Sequence, residues 1–81
     1  MIIGTVKGSL WATKKDERLN GCKLMVVKTD RGVVVATDEV GAGIGDKVIV
    51  CYGSSAHISK AAPIDAAIIG IIDSLEMEEL L

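Results

Sequence analysis

Val40-Gly41-Ala42-Gly43-Ile44-Gly45-Asp46-Lys47-Val48-Ile49-Val50 sets three glycines at alternate positions and then runs into an apolar segment. Two phosphate-binding patterns compete for such a stretch. A Walker loop requires GxxxxGK[ST] opening a helix, so that loop amides and the helix dipole meet the phosphates. Here Lys47 stands between Asp46 and Val48, and the β-branched continuation reads as a strand. A dinucleotide fingerprint requires GxGxxG before a helix, and Asp46 occupies the place of the third glycine. Asp38, Glu39 and Asp46 also bring negative charge to the loop, which disfavours phosphate. The glycines are therefore architectural: they permit positive φ or close backbone approach, and they leave one face of an extended segment bare for a neighbouring subunit.

The rest of the chain supports strands rather than helices. Among 81 residues there are ten Ile and nine Val, no Phe, and one aromatic each of Trp (Trp11) and Tyr (Tyr52). β-Branched side chains are stiff at χ1 and fit a pleated sheet. The spacing predicts strands over Ile2–Thr13, Cys22–Thr29, Val33–Thr37, Asp46–Tyr52 and Ala66–Leu75. Between them lie a charged loop ending in Asn20-Gly21, a hairpin turn at Asp30-Arg31-Gly32, the glycine stretch, and a small polar loop over Gly53–Pro63. Five short strands in one domain predict an all-β fold, a small closed or nearly closed barrel. The domain spans residues 1–75, and residues 76–81, with Glu76, Glu78 and Glu79, form an acidic C-terminal tail.

Alternation is the informative departure. A half-buried strand reads apolar-polar-apolar. Instead Leu24–Val27, Val33–Ala36, Val48–Cys51 and Ala66–Ile72 are apolar on both faces. No helix of sufficient length is predicted to cover the second face, which leaves another copy of the chain. Covering ~500 Å² per subunit at about 25 cal/mol per Å² contributes roughly 12 kcal/mol before association costs. A head-to-tail contact of this kind closes most simply as a symmetric ring.

Catalytic and ligand-binding chemistry finds little support. His57 lies near Ser54, Ser55 and Cys51, but spacing fixes no acidic orienter, Asp65 being only a candidate. Cys22, Cys51 and His57 lack metal-ligand spacing, so no metal and no cofactor is expected. The two cysteines have no CxxC pattern and are expected as thiols. Net charge is -2, with cations scattered from Lys7 to Lys60, so no basic patch for nucleic acid is visible. Met1–Gly4 lacks the basic start of a signal peptide, and the apolar run Ala66–Ile72 is far shorter than the roughly 20 residues of a membrane span. A cytoplasmic protein is expected. A small barrel binding a small ligand or single-stranded nucleic acid is the alternative, although the latter normally supplies aromatic stacking platforms in a positive groove.

Several segments, in order, resemble the CcmL/EutN family of bacterial microcompartment vertex proteins. They are Met1-Ile2-Ile3-Gly4-Thr5-Val6-Lys7-Gly8-Ser9-Leu10-Trp11-Ala12-Thr13, Leu19-Asn20-Gly21-Cys22-Lys23-Leu24-Met25-Val26-Val27 and Asp38-Glu39 followed by the opening stretch. Gly53-Ser54-Ser55-Ala56 and Pro63-Ile64-Asp65-Ala66-Ala67-Ile68-Ile69-Gly70-Ile71-Ile72-Asp73 complete the set. The resemblance implies a five-stranded barrel of the oligonucleotide-binding (OB) type without nucleic-acid function. It implies a non-enzymatic cyclic homopentamer, a homohexamer being the lesser variant, that plugs the five-fold corners of a cytoplasmic protein shell tiled by hexameric shell proteins. On this basis Val40, Gly41, Gly43, Gly45, Ile64, Ala66 and Ile68 are assigned to subunit contacts. Ser54 and Ser55 are assigned to the rim of a central opening, and His57, where the family often has Arg, to a contact with the shell. The short loop between Thr29 and Val33 leans toward a catabolic metabolosome rather than a carboxysome.

Overall fold

A computed structural model of the protein describes residues 1–10, 17, 21–53 and 65–73. Its strands are β1 (Ile2–Leu10), β2 (Leu24–Thr29), β3 (Gly32–Asp38), β4 (Lys47–Tyr52) and β5 (Ala66–Ile71). They close into a barrel in the order β1-β2-β3-β5-β4. A strand forms at each of the five expected places, the Trp11–Thr13 end expected for the first lying outside the described residues. Gly32 joins β3 earlier than its glycine suggested, because it pairs with Thr29 across a two-residue turn. The fifth strand stops at Ile71 rather than Leu75, although the Ile72 amide still donates to the Lys47 carbonyl (2.8 Å).

Four of the five seams are antiparallel; the fifth, between β3 and β5, is parallel and only two residue pairs long, Thr37 with Ala67 and Asp38 with Ile68. A barrel this small must bend its strands sharply to close, and bulges supply the bend. One falls in β1, where the register with β2 jumps between Val6 and Gly8; another falls at the β4–β5 seam, where Ile69 is skipped.

The interior is filled by Val6, Met25, Val27, Ala36, Ala42, Val48, Val50, Ala66 and Ile68. These are small or branched side chains, as the narrow lumen requires. Gly4 is buried in the same wall, and a Cβ there would meet Val27 Cγ1 at 2.5 Å and the Lys28 carbonyl oxygen at 2.9 Å. β1 therefore approaches β2 at a distance that only glycine permits.

This packing corrects two of the subunit-contact assignments. Ile68 is fully buried and Ala66 nearly so, both in the protomer's own core. A side chain with no accessible surface has none to lose at a contact. The apolar run Ala66–Ile72 does not distinguish inward from outward positions by itself; register with Val50 and Tyr52 does. The outer face is also not wholly uncovered. Cys51 and Ala67, paired across β4 and β5, are buried in a second, smaller cluster within the chain, with the partly buried Ile69 packed against it.

Gly4→Val should destabilise the protomer by about 2 kcal/mol through overpacking, read as a lower denaturation midpoint in urea. Ile68→Asp should leave no folded protomer at all, since it places an unpaired carboxylate in the core. Circular dichroism then shows loss of the sheet signal, whereas a purely interfacial Ile68 would give a folded but dissociated chain.

Candidate functional site

The stretch Asp38–Asp46 joins β3 to β4 and is held by the chain's own carboxylates. The Asp38 side chain is fully buried. Its Oδ1 accepts from the Val40 and Gly41 amides (3.0 Å each) and its Oδ2 from the Ala42 amide (2.9 Å). Three successive backbone N–H groups turned to one point form an anion-binding nest of the kind phosphate loops use. Here the anion is Asp38. Asp46 repeats the device at the other end: its Oδ2 accepts from the Gly43 amide (2.8 Å), and its own amide donates to the Gly43 carbonyl (3.0 Å). The acids that flank the loop in sequence do more than repel a phosphate; they occupy its amides.

Other contacts fix the loop to the barrel. Lys23 Nζ lies 3.5 Å from Asp38 Oδ2 and donates to the Ala42 carbonyl at 3.4 Å, while the Asp38 amide donates to the Lys23 carbonyl (2.9 Å). The Gly45 amide donates to the Val6 carbonyl and the Val6 amide to the Asp46 carbonyl. Gly41 (φ 80°) and Gly45 (φ 94°) take left-handed conformations that admit glycine without strain. Ala42, between them, drops its methyl group into the barrel core.

Pinning Ala42 inward turns its apolar neighbours outward. Val40 is 41% exposed and Ile44 73% exposed. Further apolar side chains stand uncovered on the barrel wall: Ile3 at 50%, Val33 at 65% and Val35 at 41%. Val35 faces out beside Val26, its partner across the β2–β3 seam. The described surface thus carries a rigid loop with two projecting aliphatic side chains, and an apolar wall. It can bury both against another protein surface.

Of the residues assigned from the sequence, the structure brings Val40, Gly41, Gly43 and Gly45 together on this exposed loop. Ala66 and Ile68 lie inside the barrel, in the same core cluster as the loop's Ala42. Ser54, Ser55, His57 and Ile64 fall outside the described residues. Cys22 and Cys51 form no disulfide. Asp38, which organises the whole loop, went unassigned in the sequence beyond its charge. The available signal was an Asp shortly before a glycine-rich segment, a pattern in which the carboxylate takes the amides that follow it.

The geometry defines a class first: a closed five-stranded OB-type barrel with an internally satisfied loop and apolar side chains left on its outside. The chain belongs to the family described as ethanolamine utilisation protein EutN/carboxysome, whose model matches residues 1–73. Among its relatives, the bacterial microcompartment shell vertex protein GrpN of Rhodospirillum rubrum is 43% identical, over 94% of this chain and 97% of the relative. The carboxysome shell vertex protein CcmL of a Nostoc species is 33% identical, over 100% and 91%. The solved structure described as the GrpN pentameric microcompartment shell protein from Rhodospirillum rubrum superposes with a TM-score of 0.85 at 44% identity, covering 95% of this chain and 100% of that one.

Asp38→Ala should free three loop amides and cost about 3 kcal/mol of stability, at the upper end for hydrogen bonds to a charged group. Amide hydrogen exchange should accelerate first at Val40–Ala42. Asp38→Asn, which keeps one oxygen acceptor, should fall between the two.

Proposed function

We propose that this protein is a structural vertex subunit of a bacterial microcompartment shell, acting as a cyclic homopentamer that closes the five-fold corners among hexameric tiles. The observation that carries this reading is the match to shell vertex proteins over nearly the whole chain, with a pentameric shell protein superposing on it. Physical support comes from the aliphatic side chains left exposed on a single protomer, a surface that invites burial on assembly.

The role is geometric. A corner subunit must present two different complementary sides so that the contact runs head to tail and closes after five copies. It must also resist deformation while flat tiles press on its rim. A barrel braced by bulges, and a loop whose amides are internally bonded, suit that demand. The chain makes and breaks no bond in this role, and it resides in the shell, within the cytoplasm. The barrel domain covers residues 1–75 and the acidic tail residues 76–81.

The subunit contact centres on the Val40–Gly45 loop, with Val40 and Ile44 as its apolar anchors. Ile64 remains with this contact, Ser54 and Ser55 with the rim of the central opening, and His57 with the neighbouring shell protein. Val33 and Val35 are further material for the ring, replacing Ala66 and Ile68. The short loop between Thr29 and Val33 does not separate a metabolosome from a carboxysome, because carboxysome and other microcompartment vertex proteins both stand among the relatives.

Native mass spectrometry should give a species of roughly 42 kDa, five chains of 8.5 kDa. A chain that stays monomeric at micromolar concentration overturns the reading. Ile44→Glu should shift the mass to that of the monomer while leaving the protomer's stability within about 0.5 kcal/mol, because the side chain is exposed in the isolated protomer. An intact ring in that variant moves the contact away from the loop.

A further inference from the structure

The cations that look scattered in the sequence are not scattered in space. The register sets Lys28 of β2 and Lys47 of β4 directly across from Thr5 of β1, one on each side. Adjacent strands lie about 4.8 Å apart, so the two lysines start about 10 Å from each other with a threonine hydroxyl between them. Lys7, the residue the β1 bulge adds, lines the same open groove of about 320 Å³. Three of the chain's nine cationic side chains therefore converge on one place in a protein of net charge -2.

Among the described residues none of the three lysines lies within salt-bridge distance of a carboxylate; Asp30 lines the groove but pairs with none of them. The remaining wall is rigid. Thr29 Oγ1 donates to the Gly32 carbonyl (2.9 Å) and accepts from the Arg31 amide (3.1 Å), which locks the β2–β3 turn at the groove's edge. Folding thus gathers three ammonium groups and the Thr5 hydroxyl on a braced surface whose lining holds one carboxylate, Asp30. An anion bridging the ammonium groups relieves their repulsion and gains charge-assisted hydrogen bonds.

We propose that the groove formed by Thr5, Lys7, Lys28 and Lys47 binds a small multivalent oxyanion, a polyphosphate or a polycarboxylate. The volume lies at the lower end of small-molecule sites, which suits an anion of that size. Two or three lysine ammoniums hold separate oxygens, and the Thr5 hydroxyl donates to a further one. Every lining residue of the groove belongs to one protomer.

The test is calorimetric titration of the full chain in its native assembly, in phosphate-free buffer at low ionic strength, where exposed charges are least screened. Pyrophosphate and tricarballylate serve as the phosphate and carboxylate probes. Saturable binding at one anion per chain is expected for at least one of them, and which one binds assigns the oxyanion class. The double variant K28Q/K47Q should bind at least about ten-fold more weakly, and Lys23→Gln, which removes a cation outside the groove, should stay within about two-fold. In the unmodified protein, the bound anion should shift the amide resonances of Thr5, Lys28 and Lys47 and spare those of Val40–Gly45, a readout that needs no variant to fold. Absence of saturable binding, or equal weakening by Lys23→Gln, overturns the proposal. So does binding of a ten-residue oligothymidylate more than about ten-fold tighter than either small anion, which would make the surface a nucleic-acid groove instead.

Discussion

Closure of the barrel rests on the parallel seam between β3 and β5, where two residue pairs complete a sheet whose other four seams are antiparallel and longer. The seam is reinforced from both of its residues. Thr37 Oγ1 donates across it to the Ala66 carbonyl (3.5 Å), and Asp38, paired through its backbone with Ile68, turns its carboxylate into the following loop. Backbone groups at an open edge would otherwise be unpaired, and a small barrel has too little core to tolerate that. Asp38 thereby couples the closing of the sheet to the shape of the loop beyond it.

The same coupling makes the loop useful. A glycine-rich segment is costly to order because its backbone loses much freedom on folding. Charge-assisted hydrogen bonds to Asp38 and Asp46, and the burial of Ala42, offset that loss. The result is an ordered platform projecting Val40 and Ile44. A contact made by a platform already ordered loses less conformational entropy on association than one made by a mobile loop. Rigid sides are what a corner subunit requires.

Different parts of this architecture were legible in the sequence to different degrees. The strands could be read because Ile and Val dominate them and because the β2–β3 turn is marked by Asp30-Arg31-Gly32. The loop could be recognised as non-phosphate-binding because a strand follows it. Facing, however, was ambiguous wherever both sides of a strand are apolar. Ile68 looked like a contact residue and is core; Val33 and Val35 looked equivalent to Val34, which instead packs toward the core. Alternation carries information only when the two faces differ in polarity.

By itself, the sequence determined that the chain is a β-rich domain, that its glycine stretch is architectural, and that more apolar surface exists than one small barrel can hide. Those properties are local or compositional, fixed by side-chain branching, turn chemistry and the count of apolar residues. Tertiary structure alone decided which carboxylate fills the loop's amides, which isoleucines face inward, and that Lys7, Lys28 and Lys47 share one groove. The reason is register. A shift of one residue in strand pairing reverses every side chain, and residues distant in the chain become neighbours only once that pairing is set.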